Sequence, residues 1–538
     1  MNEPSRPWPG PVRTLAAGAL LVLPWLNPFA PGPSPAVEPW LVTFACVLVL
    51  RWRFAGAAVA FPWRAGLALF AAWAVLRSGV TLDTVALAGG LLLMVLAAGV
   101  AVEWARAGRV HWIAGAWLAA AFASTAVALL QYFGADALLA PWVSLSPAGE
   151  AYANLRQRNQ FASLTVIGTA AAWWFLREGR GRWFAWAAIV LLAVGNAATT
   201  SRTGLLQLAL LAALGVLWPG PARLKAVRAG VVALASYTAA ALLLPLLLVQ
   251  AGGPLRARLW ERTAEIASCS SRSVLWSNVS ELVAQRPWLG WGWGELDHAH
   301  FVNLYAGARF CDILDNAHSL PLHVAVELGL PALLLALVAL GVAVWRAAPW
   351  READPARQLA WAVLALIGIH SLLEYPLWYG PFQLAAGLCI GLLWPGRQPE
   401  AAPPARTWAR GAVAAAAVVL LYALWDYRRV SQIYLPAEER LAPWRDDTAD
   451  HVARSRLFSQ QARFALLTIA QLSRDNAQWT LDTAEAVLHY SPEPKIAEKA
   501  IESATMLGED DRAVLHLARY RAAFPQAYSD WASRNGLR

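Results

Sequence analysis

The sequence predicts an all-α polytopic membrane protein with about twelve to thirteen transmembrane helices. It also predicts a long polar loop late in the chain and a helical domain at the C-terminus, both on the same side of the membrane. Three observations lead there. Of 538 residues, 58% are hydrophobic and only 15% charged, where soluble chains carry about one quarter charged. Apolar runs of about 20 residues recur with charged punctuation between them. Basic residues are dense and sparse in alternate connecting loops, as the positive-inside rule requires.

The expected spans fall near 14–30, 39–50, 65–77, 80–102, 111–133, 160–176, 183–198, 203–218, 229–250, 322–345, 358–378, 381–395 and 409–426. The opening MNEPSRPWPGPVR has arginines, then an apolar run too long for a signal h-region, and no small-residue cleavage site. The first span is therefore read as retained. With the N-terminus cytoplasmic, Arg6 and Arg13 plus the loops around Arg51, Arg106, Arg177, Arg223, Arg346 and Arg397 hold about 19 basic residues. The opposite short loops hold about four: Arg77, Arg156, Arg158 and Arg202. The net charge of +9 is thus a topology signal. No concentrated basic stripe is present, so nucleic acid is excluded as a partner.

This divides the chain into 1–250 with the first nine spans, a long loop at 251–321, four further spans in 322–427, and a C-terminal domain at 428–538. The long loop, the tail and a shorter loop at 134–159 fall on the side read as periplasmic. In the tail, apolar residues recur at helical spacing, as in ARFALLTIAQL and RAVLHLARYRAAF, with breaks at SPEP (491–494) and FPQ (524–526). Paired helices of tetratricopeptide type are expected there. Such pairs bind partners or pack on a neighbour more often than they do chemistry. Cys46 and Cys389 fall in apolar spans, where a buried free thiol is expected. Cys269 and Cys311 both fall in the long loop, where an oxidising compartment permits a disulfide.

Polar residues gather on the same side. NLRQRNQFASL (154–164) brings Arg156, Gln157, Arg158 and Asn159 to the head of a span; ATTSRTGLL (198–206) puts Arg202 in a tight turn between two spans. CSSRSVLWSNV (269–279) contains Arg272, and the basic LRARLWER before it contains Arg258. DILDNAH (312–318) contributes Asp315, Asn316 and His318, followed by His323 and Glu327, and IHSLLEYPLWYGP (369–381) adds His370, Glu374 and Tyr375. Ionisable groups at membrane depth are costly unless paired or wet, so they are functional candidates. Arginine binds phosphate bidentately and stays charged. Arg202 and Arg272, with Arg156 or Arg158, have the chemistry to neutralise a pyrophosphate. The competing explanation for a span-edge arginine is snorkelling to headgroups, and it weighs most for Arg156, Arg158 and Arg258.

His318 has three readings. As a metal ligand it lacks an HExxH arrangement or thiolates at metal spacing, and no metal is expected. As part of a helix start it would follow Asp315 and Asn316, both good capping residues. As a general base, a neutral imidazole takes a hydroxyl proton near neutral pH while an aspartate holds its tautomer. His323 and Glu327, four apart, are expected to share an intrahelical hydrogen bond. GWGWGELD (290–297) lacks the Lys-Ser/Thr ending of a phosphate loop and is read as a tight turn. The amphipathic SVLWSNVSELVAQRPWLG before it is expected to lie along the membrane surface.

The motifs NLRQRNQFASL, TTSRTGLL, SSRSVLW, DNAHSLPLHVAVELGLPALL and HSLLEYPLWY, in this order, resemble the O-antigen ligase and polymerase superfamily. Within it they look most similar to the bacterial O-oligosaccharyltransferases that glycosylate pilins. The resemblance covers about residues 15–395, and the tail resembles the C-terminal domain of the protein-glycosylating branch. It implies transfer of a glycan en bloc from undecaprenyl diphosphate to a serine or threonine hydroxyl of pilin or another exported protein. It places the reaction on the periplasmic face of the bacterial inner membrane, in contact with membrane lipid and with no cofactor. Carried over, the SRTG arginine is Arg202, the loop arginine is Arg272 and the DNAH histidine is His318. These are the expected catalytic residues. Arg156, Gln157, Asn159, Arg258, Asp315, Asn316, Glu374 and Tyr375 are expected to bind substrate. RQRNQ departs from the family's more usual RQPN, with Arg158 in place of proline.

The nearest rival is an O-antigen ligase or polymerase acting on a sugar hydroxyl. A lipid-linked glycan flippase or transporter would carry polar residues at mid-span and broken helices with internal repeats, whereas here the polar groups gather on one side. A structural scaffold would not need the arginine–histidine set.

Overall fold

The computed structural model describes residues 10–27, 37–54, 64–220, 223–253, 269–394 and 403–536, with side chains from residue 14 onward and not for 54 or 403–409. All regular elements among them are helical, as expected. In chain order they are α1 (Gly10–Leu26), α2 (Val37–Phe54), α3 (Arg64–Ser78), α4 (Leu82–Arg106), α5 (Val110–Tyr132), α6 (Arg158–Arg177), α7 (Arg182–Ala198) and α8 (Arg202–Leu217). Next come α9 (Arg223–Gln250), α10 (Arg272–Gln285), α11 (Leu296–Val302), α12 (Leu320–Leu328), α13 (Leu330–Ala347), α14 (Pro355–Ser371), α15 (Gly380–Leu393) and α16 (Pro403–Ser431). The tail holds α17 (Ala442–Arg445), α18 (Thr448–Ala453), α19 (Ser459–Ile469), α20 (Ala477–Leu488), α21 (Pro494–Leu507), α22 (Asp510–Ala523) and α23 (Pro525–Arg534).

Among the described residues, each expected apolar run except 322–345 overlaps a single α-helix. Among the described residues, Leu82–Arg106, Val110–Tyr132, Arg223–Gln250, Leu330–Arg351 and Arg410–Tyr434 are long and apolar enough to cross a membrane unaided. Thr14–Leu26, Arg182–Ala198, Arg202–Leu217 and Gly380–Leu393 are apolar but shorter. The chain is a multi-pass membrane protein. It forms two compact units, one of Met1–Ala65, Gly89–Arg262 and Gly341–Leu420, the other of Gly66–Ala88, Thr263–Leu340 and Leu421–Arg538.

In the first unit α6 is the central helix. It packs on α5, α7, α8 and α14, and from Gln160 to Trp174 all its residues are buried. A helix buried all round needs close neighbours, and small residues supply them. A Cβ added at Gly168 would lie 2.5 Å from Ala121 Cβ, one at Gly195 2.7 Å from Thr125 Cγ2, and one at Gly204 2.6 Å from Ala162 Cβ. The first two bring α6 and α7 against α5, and the third brings the start of α8 against the first turns of α6.

In the second unit the expected span 322–345 is not one helix. It is broken into α12 and α13 at Gly329, whose φ is 88°. The cause is the glycine-rich turn that follows α10. Trp291 N donates to Val326 O at 2.8 Å, Gly292 N to Glu327 O at 2.9 Å, and Leu330 N to Pro287 O at 2.8 Å. Carbonyls at the end of α12 thus bond the turn, and no side chain fits at 329, where a Cβ would meet Trp288 O at 2.3 Å. The positive φ values of Gly290, Gly292 and Gly294 bear out the tight-turn expectation.

The expectation that α10 lies along the membrane surface needs correcting. Its apolar stripe, Leu275, Val279 and Leu282, is buried in the loop's own core with Leu296, Phe310 and Val326. Cys269 and Cys311 form a disulfide across 42 residues, Cα–Cα 5.5 Å. Cys46 and Cys389 are free and buried. In the tail, α20, α21 and α22 pack successively on one another, and Phe301 of α11 enters their core beside Leu481, Ile501 and Tyr520.

Candidate functional site

In the first unit the sequence-predicted Asn159 and Glu374 meet Ser201, the neighbour of Arg202, in one partly buried polar junction. Asn159 Nδ2 donates to Glu374 Oε1 at 3.0 Å, and Ser201 Oγ donates to Asn159 Oδ1 at 2.6 Å. The first turn of α6, the α7–α8 turn and the segment after α14 are thereby tied together. Gln157 caps α6, its Oε1 accepting from Gln160 N at 2.7 Å. Ser201 caps α8 by accepting from Gly204 N at 3.0 Å, and Thr200 before it is left-handed, φ 52°. Arg158 is the first residue of α6. Proline is favoured at that position, so arginine and the family's proline suit the same backbone. Arg156 is left-handed, φ 57°, and its Nε donates to Ser144 Oγ at 2.9 Å. Tyr375 stacks on Tyr379 with ring centroids 5.9 Å apart.

Arg202 is exposed at the start of α8 and makes no hydrogen bond or ion pair with any described residue. A helix N-terminus carries unsatisfied N–H groups and partial positive charge, so a cation there is unfavourable unless an anion completes the site. Arg272 is the first residue of α10, behind Ser271, whose hydroxyl accepts from Val274 N at 3.5 Å.

A network inside the first unit was missed from sequence apart from His370. Ser163 Oγ donates to Gln207 Oε1 at 2.9 Å and lies 2.9 Å from His370 Nδ1. The hydroxyl has one proton, so His370 carries its own on Nδ1 and donates it to Ser163. Gln207 Nε2 donates to Leu366 O at 2.9 Å. All three side chains are buried. The available signal was a single polar residue inside each of the apolar stretches FASL and GLLQLAL.

In the second unit, His318 holds a left-handed backbone, φ 48°, and its N–H donates to Asn316 Oδ1 at 2.9 Å. Asn316 and Asp315 are not helix caps, as had been one expectation. Helix α12 begins after Ser319, with no side-chain cap, and Asn316 instead closes a local turn. Trp276 Nε1 donates to Ala317 O at 3.1 Å, pinning this turn to α10. Asp315 is exposed and His318 partly so. The expected His323–Glu327 contact is present, Nε2–Oε2 3.1 Å. Glu327 also accepts from Gly294 N at 3.0 Å and Leu296 N at 3.3 Å, so this buried carboxylate seats the glycine turn on α12. Arg258 lies outside the described residues.

A group of titratable residues around α11 was not anticipated. Glu295 Oε2 lies 2.6 Å from His489 Nδ1 and 3.5 Å from His298 Nδ1. Burial, then nearby His489, Arg519 and Arg286, push His298 down to about 3. The hydrogen bond to Glu295 raises His489, with burial opposing. Burial and then Arg309 hold His300 at about 3. Its Nε2 donates to Phe310 O at 3.1 Å, so its Nδ1, 2.9 Å from Tyr305 OH, accepts.

Three family models match the chain. One described as "O-Antigen ligase" covers residues 187–337, which include Arg202, Arg272 and His318. One described as "Virulence factor membrane-bound polymerase, C-terminal" covers 358–535. One described as "Protein glycosylation ligase" covers 151–176, including the RQRNQ segment. A general O-oligosaccharyltransferase of Acinetobacter baylyi is 27% identical over 125 residues, 23% of this chain and 21% of that relative. The match thus spans about a fifth of the relative's length. These matches and the helical fold support a likeness to the membrane-embedded glycan ligases and polymerases. The chain is thus similar, over separate stretches, to the O-antigen ligase superfamily and to its O-oligosaccharyltransferases.

Proposed function

We propose that the chain is a glycosyltransferase that moves a glycan en bloc from undecaprenyl diphosphate to a serine or threonine hydroxyl of an exported protein such as pilin. The reaction takes place on the periplasmic face of the bacterial inner membrane. The observation that carries the reading is the repeated arrangement at Ser201–Arg202 and Ser271–Arg272. Each places a guanidinium at a helix N-terminus behind a capping serine, which is suited to a phosphate ligand.

The chemistry follows. The acceptor oxygen bonds to the anomeric carbon as the carbon–oxygen bond to the diphosphate breaks. The hydroxyl proton passes to His318, whose ring then carries the charge. The departing undecaprenyl diphosphate keeps the electron pair, and Arg202 and Arg272 stabilise the charge growing on it. Gln157, Asn159 and Glu374 hold the α6 and α8 starts in place, while Arg156, Arg258 and Tyr375 contribute to binding donor or acceptor. Asp315 and Asn316 support the His318 turn.

A second reading, ligation or polymerisation onto a sugar hydroxyl, is favoured by the descriptions attached to residues 187–337 and 358–535. One experiment separates the two. A heterologous bacterium is given a lipid-linked glycan, a candidate pilin and the chain, wild type or His318→Ala, at matched membrane abundance. Glycosylated pilin from the wild type and a loss of about 10²–10⁴-fold in the variant is expected for a general base. Full transfer by the variant removes His318 from the chemistry. Sugar on lipid A core and none on pilin makes the acceptor a saccharide.

A further inference from the structure

The pair His298 and His489 meets at one carboxylate oxygen. Glu295 stands immediately before α11, His298 one turn into it, and His489 comes from the end of α20, 194 residues away. Both Nδ1 atoms face Glu295 Oε2, and the two imidazole rings stack with centroids 3.6 Å apart. The possible ligand atoms of the three residues all lie within 4.8 Å of one another. A single hydrogen bond between His489 and Glu295 would join the loop to the tail without His298. The second imidazole, presenting the same ring nitrogen to the same oxygen, is what a shared cation explains.

We propose that Glu295, His298 and His489 form a binding site for a divalent transition metal, zinc being the ion that two imidazoles and a carboxylate suit, with an exchangeable fourth position open to water. Ligand atoms on a tetrahedral zinc stand roughly 3.3 Å apart. The His298–Glu295 separation of 3.5 Å already matches. The His489–Glu295 contact of 2.6 Å is a hydrogen-bond distance and opens when the ion replaces the shared proton. Side-chain exposures of 20% for His298, 29% for Glu295 and 47% for His489 leave a path for the ion. Arg286 and Arg519 oppose a cation near His298, while Glu485 adds negative charge near His489. The ion would staple α11, and with it the glycine turn, to the tail helices. Sequence spacing could not reveal the site, because its third ligand belongs to another segment.

The test is calorimetric titration of zinc chloride into the full chain in detergent, purified without a histidine tag, alongside His298→Ala and His489→Gln. Glutamine at 489 keeps a hydrogen-bonding group opposite Glu295 but is a poor ligand. The expected result is one zinc per wild-type chain, at least tenfold weaker binding in each variant, and a zinc-dependent rise in melting temperature confined to the wild type. No binding by the wild type, or equal binding and equal thermal shift in His489→Gln, overturns the proposal. Should His298→Ala fail to fold, the His489→Gln comparison decides alone.

Discussion

Asn159 and Glu374, 215 residues apart, are joined by a hydrogen bond of 3.0 Å, and the same asparagine accepts from Ser201 at 2.6 Å. One amide therefore sets the relative position of the α6 and α8 starts and the segment beyond α14. Asn159→Ala removes a donor from a buried carboxylate and an acceptor from a buried hydroxyl. It is expected to cost about 1–3 kcal/mol, visible as a lowered melting temperature, together with weakened glycan transfer. Glu374→Gln, which still offers a carbonyl to Asn159, is expected to melt closer to wild type. A variant series with unchanged melting and unchanged transfer would show that the junction positions nothing.

Arg202 is the residue for which stability and activity should separate most clearly. It is exposed and bonds to no described residue, so Arg202→Ala should melt within about 0.5 kcal/mol of wild type. Transfer should fall about 10²-fold or more, the usual cost of losing one preorganised charge-stabilising donor. Arg202→Lys keeps the charge but not the planar fork, and intermediate transfer is expected. Initial rates at saturating lipid-linked donor, compared across the three proteins, check this. Equal rates would return Arg202 to a headgroup-snorkelling role.

Much of this arrangement could be read from sequence where the cause is local. TTSRTGLL puts a serine before an apolar run, which is the pattern of a capped helix start, and Ser201 caps α8. DNAH was legible as a polar cluster ahead of a helix, although Asn316 bonds His318 N rather than capping α12. What could not be read depends on partners distant in sequence. Ser163 and Gln207 each look like an isolated polar residue, and their meeting with His370 depends on helix packing. The stripe on α10 was visible, but periodicity does not say whether lipid or protein covers it, and here protein does. The run 322–345 reads as one span because the bonds that interrupt it come from the turn at 287–292.

Cys269–Cys311 closes a loop of 42 residues that contains α10, α11 and the glycine turn. The entropy of closing such a loop is worth about 4 kcal/mol. Replacing both cysteines by serine should lower the melting temperature of the second unit and raise protease cutting between 269 and 311. The wild type in reducing buffer should behave like the variant, and reductant should leave the variant unchanged. Intact-mass analysis with a thiol-alkylating reagent reads the bond directly in denaturant, because Cys46 and Cys389 are labelled in either redox state.

The break between α12 and α13 makes a last prediction with an internal control. Gly329 has φ 88° and ψ 162°, a region that side chains with a Cβ avoid. An added methyl would press on the backbone carbonyl of Trp288. Gly329→Ala should therefore expel the glycine turn or distort α12, at a cost of about 2 kcal/mol or more. Because Glu327 holds that turn through Gly294 N and Leu296 N, the damage should appear as faster proteolysis near 287–297. Gly341, inside α13, has nothing within 4 Å of its added Cβ, so Gly341→Ala should be neutral or slightly stabilising through helix propensity. If both substitutions cost the same, the loss reflects glycine content in this apolar run and not the docking of the turn. A selective loss at 329 makes the docked turn the reason this apolar run is two helices.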